Sequence, residues 1–431
     1  MKIVYALTAR DMRYMDQYTI NKGISSAVLM ENAASGVVEE VVETFPNHKI
    51  EVLVLCGQGN NGGDAICVAR WLMHLGYKVQ VYFVGDPHQV SDEFMRQMNI
   101  MNSIYPDFRV AGLGGQKDIW VLKKNYELII DGIFGIGLNR RLGENLIKFV
   151  NYINHKKGYK LAVDVPSGLN STTGQSMDAI FMADKTVTFG NYKTGMFFGD
   201  GREACGEITL VDIGLAKDGY QNITDKLFIC DKPFLEATRQ VALKPRKAIS
   251  HKGTYGTVGI VVGPNSMMGA TMLAAKAAYR SGCGLVKILC PNKYIGYFNV
   301  SIPEAVIVSY KTDQANDMLY DFLQEVDTVL IGPGLREDSL GRQLVKQILE
   351  EKVPAVLDAG ALNLLARNLK PLRKRHCSCI LTPHVGEMAR LCGEDTAIVD
   401  KNKIGFLKKF SEKYNVSMVV KSDISLISLI N

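Results

Sequence analysis

Apolar runs of strand length alternate with segments of helical period along the whole chain, and this alternation is what most restricts its fold. Neighbouring parallel strands need a long crossover, and helices in those crossovers cover both faces of the sheet, so the pattern specifies an α/β protein built from mainly parallel sheets. Strand signals fall at 51–56 (EVLVLC), 78–84, 128–131, 160–164 and 185–189, and again at 257–262, 285–289, 328–331, 355–357 and 379–381. Helical spacing covers 8–21, with Thr8 as capping residue, and 26–45, closed by Pro46, so two helices precede the first strand. Further helices are expected at about 65–75 and 269–281. The stretch 215–250 is polar, carries Pro233 and Pro245 and lacks a long periodic run. The boundary falls in its first half, giving domains at 1–220 and 226–431. After 418–421 a last apolar run from Ile424 to Ile430 is followed only by Asn431, and reads as a strand of an unfinished sheet.

The 431 residues are 47% hydrophobic and 22% charged, enough apolar material for two cores. No stretch reaches the roughly 18–20 apolar residues of a membrane span. Fifty Lys and Arg against 44 Asp and Glu leave a net +6 that is not gathered into basic runs. Small-molecule partners are expected, with neither nucleic acid nor membrane. Nine cysteines, an odd number in a chain too large to need disulfide staples, indicate free thiols and a reducing cytoplasm. His376-Cys377-x-Cys379 has no second ligand pair nearby and reads as the approach to a buried strand rather than a zinc site.

Gly57-Gln-Gly-Asn-Asn-Gly-Gly-Asp64 sits directly between a strand and a helix. Its glycines let the backbone approach a ligand, and the free N–H groups of a helix start favour an anion such as phosphate. It matches neither the dinucleotide fingerprint nor a P-loop, and a bare turn is the competing reading. Two more polar, glycine-containing loops follow strands: Asp131-Gly-Ile-Phe-Gly-Ile-Gly-Leu-Asn-Arg-Arg141 and Asp164-Val-Pro-Ser-Gly-Leu169. In an open parallel sheet ligands bind at strand C-termini, so Asn60, Asn61, Asp64, Asp131, Arg140, Asp164 and Ser167 are expected to converge, although any one aspartate taken singly is better explained as a cap or turn former.

With Thr188-Phe-Gly-Asn-Tyr-Lys-Thr-Gly195, these motifs resemble, over about residues 1–215, the NAD(P)H-hydrate epimerase domain. The resemblance implies a Rossmann-like three-layer domain that interconverts R- and S-NADHX and NADPHX, cofactors hydrated at C6 of the reduced nicotinamide. It implies that Asn60, Asn61, Gly62, Gly63 and Asp64, with Gly135, Ile136, Gly137, Leu138, Asn139, Arg140 and Arg141, hold the substrate, and that K+ is bound by Asn61, Asp131 and Ser167. Asp164 is the expected acid and base, also touching substrate, and Lys193 a second catalytic candidate.

In the second half, Gly263-Pro-Asn-Ser-Met-Met-Gly-Ala270, Gly332-Pro-Gly-Leu335, Asp358-Ala-Gly-Ala-Leu-Asn363 and Thr382-Pro-His-Val-Gly-Glu387 again place polar loops at strand ends. They resemble the ADP- or ATP-dependent NAD(P)H-hydrate dehydratase domain, of ribokinase-like fold. The resemblance implies hydrate contacts at Ala270, Gly334 and His384, and adenine-nucleotide contacts with Mg2+ at Lys421, Ser422, Asp423, Ile424 and Ser425. His384 on its own reads more readily as a helix-entry residue, while Asp358 and Asn363 are alternative ligands for magnesium or phosphate. The family's Gly-Asp loop, which activates the hydroxyl for phosphorylation, is not among these residues, so the second domain is expected to lack its C-terminal part and to be impaired in dehydration, with apolar surface left uncovered. The expectation is thus one of metabolite repair, an isomerase joined to a lyase, forming a homo-oligomer through the two N-terminal helices. A ribokinase-class small-molecule kinase and a non-catalytic ligand-binding or scaffold module are the alternatives.

Overall fold

The computed structural model describes residues 4–113, 119–224, 226–242 and 245–430. They form two compact units, Met1–Lys244 and Pro245–Asn431. The first is built on a six-stranded, wholly parallel sheet in the order Lys78–Val84, Glu51–Gly57, Leu128–Gly132, Tyr159–Val163, Lys185–Phe189, Glu207–Val211. The central strands are buried along nearly their whole length, which is why they read as unbroken apolar runs. Helices Ala9–Asn21 and Ser26–Thr44 are capped by the Thr8 and Ser25 side chains, which accept from Asp11 N and Val28 N.

Three features depart from the sequence expectation. A strand at Tyr5–Leu7 precedes the first helices; it pairs with Tyr192–Lys193 and Leu227–Phe228, and its signal is too short to stand out. Edge strands Glu207–Val211 and Val306–Tyr310 are additional, being less buried than the central strands. The helix expected from about 65 begins at Asn60 and runs to His74. Glycine disfavours helix interiors, yet Gly62 and Gly63 lie in its first turn because packing demands it. A Cβ on Gly62 would sit 1.8 Å from Gly57 O, and one on Gly63 would meet Met30 Cε at 3.0 Å and Phe94 N at 3.2 Å.

In the second unit eight strands run in the order Val306–Tyr310, Leu285–Pro291, Thr257–Val261, Thr328–Ile331, Ala355–Leu357, Cys379–Leu381, Ser417–Val420, Leu426–Ser428. All neighbours are parallel except the last pair, which is antiparallel. Ile427 and Leu429 are exposed at that edge. The Cys377 and Cys379 thiols are free and buried, and His376 Nδ1 lies 2.8 Å from Glu350 O. Among the described residues no helix is long and apolar enough to cross a membrane.

Because the methyl of Gly62→Ala would collide with backbone rather than with a movable side chain, that substitution should destabilise the first unit by about 3 kcal/mol or more. Urea unfolding of the variant beside wild type measures this, and an unchanged midpoint would contradict the packing described.

Candidate active site

In the six-stranded and the eight-stranded sheet alike, the strand order reverses beside the strand of that sheet that comes first in the chain. Chains leave that strand and its neighbour in opposite directions, so a crevice opens between their C-terminal ends. In the first unit the crevice lies between Glu51–Gly57 and Leu128–Gly132, and holds a cavity of about 670 Å³. Close packing below it is enforced by Gly57, where a Cβ would lie 1.9 Å from Ile133 O, and Gly132, where it would lie 2.4 Å from Ala65 Cβ.

Asn60, Asn61, Asp64, Gly135, Ile136, Gly137, Leu138, Asn139, Arg140, Asp164 and Lys193 all line this cavity. Gly62 and Gly63 do not; they back the helix start from within the core. Arg141 also lies outside the lining, its exposed guanidinium 3.6 Å from Asp178. The helix Asn60–His74 starts at the cavity, and its first-turn N–H groups have no partners within the helix, which suits an anionic ligand.

Asp164 ends the strand Tyr159–Val163 with a φ of 65°, a left-handed conformation uncommon outside glycine. Its Oδ1 accepts hydrogen bonds from Thr188 Oγ1 at 3.2 Å, from Phe189 N at 3.3 Å and from Lys193 Nζ. Oδ2 has no protein partner among the described residues. Lys193 is no solvated loop lysine but is 1% exposed. Its ammonium is fully engaged, donating also to Thr188 Oγ1 at 2.8 Å and Phe189 O at 3.0 Å.

Beneath the cavity floor, Asp131 is wholly buried. It accepts from Ser167 N and Ser167 Oγ, each at 2.7 Å, and from Ile133 N at 3.2 Å. Burial still pushes its carboxyl up to about 6, against those hydrogen bonds. Asn61 Nδ2 donates to Val163 O at 3.1 Å. Its Oδ1 has no partner among the described residues and faces Gly135, where a Cβ would come within 3.2 Å of it. An amide oxygen, a carboxylate with a lone pair left and a hydroxyl form a hard-oxygen donor set that fits an alkali cation better than a soft metal. No group of three or more His, Cys, Asp or Glu side chains able to hold a metal occurs among the described residues.

Sequence reasoning missed the wall opposite the loops. Helix Ala9–Asn21 supplies Met12, Arg13, Asp16 and Ile20, and helix Ser26–Thr44 adds Ser26, Leu29, Met30 and Ala33. Asp16 lies between Met12 and Ile20 at helical spacing, an acid on an apolar stripe, and that was the available signal. Burial raises its carboxyl to about 6; nearby Asp164 adds to the rise while Lys193 opposes it. Asp64 is raised well above the usual carboxylate range, chiefly by burial and then by Asp164 and Asp16.

In the second unit the reversal lies between Thr257–Val261 and Thr328–Ile331, and the loops there are knit by Met267 N donating to Gly334 O at 2.9 Å. Gly334 has φ 75°, and a Cβ on it would lie 2.3 Å from Met267 O. Ala270 N donates to Met267 O at 3.3 Å, so Ala270 and Gly334 belong to one loop cluster. His384 caps the helix Val385–Cys392, its Nδ1 accepting from Gly386 N at 3.0 Å while Glu387 Oε2 accepts from His384 N at 2.9 Å. Lys421 N donates to Pro383 O, and Lys421 Nζ reaches Asp358 Oδ1 at 2.7 Å. Asn363 Oδ1 is taken by Arg390 Nε at 2.8 Å, Ser422 Oγ donates to Ile424 O, and Asp423 lies 3.5 Å from Lys403. Lys421, Ser422 and Asp423, with Ile424 and Ser425, occupy the turn between the last two strands.

Two α/β units, each with polar, glycine-bearing loops where the strand order of its large sheet reverses, define a two-domain protein of open parallel-sheet type. The family model for YjeF-related protein N-termini matches residues 26–195, and the one for NAD(P)H-hydrate dehydratase matches residues 258–429. The chain is 33% identical over 437 aligned residues to the bifunctional NAD(P)H-hydrate repair enzyme Nnr of Moorella thermoacetica, covering 97% of this chain and 80% of that protein. It is 29% identical to the Escherichia coli protein of the same description, covering 93% and 73%. The Bacillus subtilis ADP/ATP-dependent NAD(P)H-hydrate dehydratase, co-crystallized with ATP/Mg2+, is 30% identical over 47% of this chain and 69% of its own, with a TM-score of 0.40. The chain belongs to the family of bifunctional NAD(P)H-hydrate repair enzymes.

The raised carboxyls have a thermodynamic consequence. A carboxyl whose folded value exceeds its unfolded one near 3.8 binds more protons in the native state, so its contribution to stability is present at low pH and declines as pH rises through about 4 to 6. Asp16→Asn should therefore melt higher than wild type at pH 8, the gain shrinking towards pH 4.5. A lower melting temperature at pH 8 would contradict the burial assigned to Asp16.

Proposed function

We propose that the protein repairs hydrated nicotinamide cofactors, with the first unit epimerising R- and S-NADHX or NADPHX and the second dehydrating the S form with ADP or ATP and Mg2+. The observation that carries this reading is Asp164, strained in backbone and anchored through one oxygen, with its other oxygen unpaired in a dinucleotide-sized cavity. The first turn of the helix starting at Asn60 takes the phosphates, with Arg140 nearby, and the Gly135–Arg140 loop covers the substrate. Epimerisation requires the C6 hydroxyl to leave as the ring nitrogen pushes, and water to return to the opposite face. Asp164 Oδ2 moves the proton of that water or hydroxyl. Lys193 is a positioning residue in this scheme, because its three donors fix Oδ1 and leave nothing to give to substrate.

A potassium ion held by Asn61, Asp131 and Ser167 would supply positive charge below the phosphates and tie together the loops that bear them. In the second unit Ala270, Gly334 and His384 are the proposed hydrate contacts. Lys421 spends one ammonium donor on Asp358 and keeps the others for a nucleotide phosphate, with Ser422, Asp423, Ile424 and Ser425 around it. We assign the protein to the cytoplasm, a compartment that keeps its nine cysteines free. Association through the two N-terminal helices belongs to the same reading.

Supplying a separate S-specific dehydratase makes the epimerase readout independent of the second unit. With mixed R and S NADPHX, KCl, ATP and that helper, NADPH should form from both epimers. Asp164→Asn should slow consumption of the R form by about 10²- to 10⁴-fold with little change in KM. If the wild-type chain leaves R-NADPHX untouched, the epimerase assignment fails. Replacing KCl with NaCl should lower the wild-type rate, and Asp131→Asn should remove that cation response; equal rates in both salts would exclude the potassium site.

A further inference from the structure

Epimerisation at C6 needs two proton transfers of opposite sense, because a hydroxyl must be protonated to depart and a water deprotonated to return. One carboxylate fixed beside an ammonium suits the second task. The first needs a carboxyl that holds its proton, and pairs of acids whose surroundings differ in this way often share acid and base roles.

Asp16 meets that requirement by position. It lines the same cavity as Asp164, but from the helix Ala9–Asn21 rather than from a strand end. Its neighbours on that wall are Met12 and Ile20, and it has no hydrogen-bond partner among the described residues. The charged groups that line the cavity with it are Arg13 on its own helix, Asp64 on the helix Asn60–His74, Glu93 on the helix Asp92–Ile104, Arg140 in the loop after the strand Leu128–Gly132, Asp164 after the strand Tyr159–Val163, and Lys193 on the strand Tyr192–Lys193. The ammonium is committed to Asp164 Oδ1, so Asp16 shares a partly apolar cleft with three further carboxyls, and neither Arg13 nor Arg140 is bonded to it among the described residues. Its surroundings favour the neutral acid, and burial has already moved its titration to about 6.

We propose that Asp16 donates the proton to the departing C6 hydroxyl and that Asp164 accepts one from the returning water. The proposal rests on the epimerase reading of this cavity. The Asp16 proton passes to the hydroxyl oxygen, the C6–O bond breaks with its electron pair leaving on water, and the ring nitrogen lone pair forms the N1–C6 double bond. Water then adds to the other face of C6, its proton passes to Asp164 Oδ2, and the electron pair of the double bond returns to nitrogen. The enzyme is left with Asp16 ionised and Asp164 protonated, the state that runs the reverse epimerisation, and exchange with solvent restores the first. No oxidant or reductant is involved.

The test is the pH dependence of epimerisation by the full-length chain in KCl, starting from R-NADHX and separating the epimers by chromatography. Wild-type kcat should fall tenfold per pH unit above about 6. Asp16→Asn should lower kcat by about 10²- to 10⁴-fold, keep KM within about threefold and lose that alkaline limb. Asp16→Glu, which restores the carboxyl, should recover at least part of the rate together with the limb. A wild-type kcat that is flat or rising from pH 6 to 8 overturns the proposal whether or not the asparagine variant folds. So does Asp16→Asn with near wild-type kcat, or with a loss confined to KM. If the wild type itself interconverts nothing, the epimerase reading falls and this inference with it, an outcome set apart by appearing in the unaltered chain.

Discussion

A buried ammonium group organises the first site. Lys193 is withdrawn from water, and a cation so placed is tolerated only when acceptors surround it, since an unpaired buried charge is severely destabilising. Its three acceptors come from Asp164, from Thr188 and from the backbone of Phe189, so the requirement to satisfy one cation fixes the end of one strand against the end of the next. That same requirement fixes the Asp164 carboxyl at a point where the backbone takes a left-handed conformation, one that aspartate tolerates better than most residues other than glycine. The geometry of the Asp164 carboxyl is therefore inherited from the solvation of a lysine that lies behind it.

Around this anchor the two units obey one topological rule. Each of the two large sheets turns back beside its own first strand, and each turn-back is surrounded by glycines on which a Cβ would collide with backbone: Gly57 and Gly62 in one sheet, Gly332 and Gly334 in the other. The helix that starts beside each reversal, at Asn60 in one unit and at Met268 in the other, has no side-chain cap, whereas the helix start at Val385, further along the second sheet, is capped by His384 and Glu387. A capped start keeps fewer free donors than an uncapped one.

How legible this was depends on where the determining forces lie. The strands, the three loops after them and the residues Asn60, Asn61, Asp64, Asp131, Asp164 and Ser167 could be read from the chain, because buried parallel strands are unbroken apolar runs and their C-terminal loops are polar. Asp16 could not be placed, since nothing local says that helix Ala9–Asn21 closes over the crevice; that follows from a three-residue strand pairing far away. Gly62 and Gly63 read as loop because their helical state comes from tertiary contact against local preference. Arg141 followed Arg140 in sequence but not in direction, turning out to Asp178.

The pairing of Ala6 with Tyr192 joins segments separated by about 190 residues, and it delivers both Lys193 and, one turn later in the chain, the helix that carries Asp16. Contacts so distant in sequence close late, because the entropy of the intervening loop must be overcome before they form. During synthesis the central strands can therefore assemble on the ribosome with the crevice open, and the cavity gains its second wall only after residue 193 has emerged. Met12 and Met15 belong to the same core cluster as Phe189, Ile213 and Leu215, so their burial too is completed only once those later segments have emerged, and the late-closing contact that finishes the site finishes the core of the unit with it.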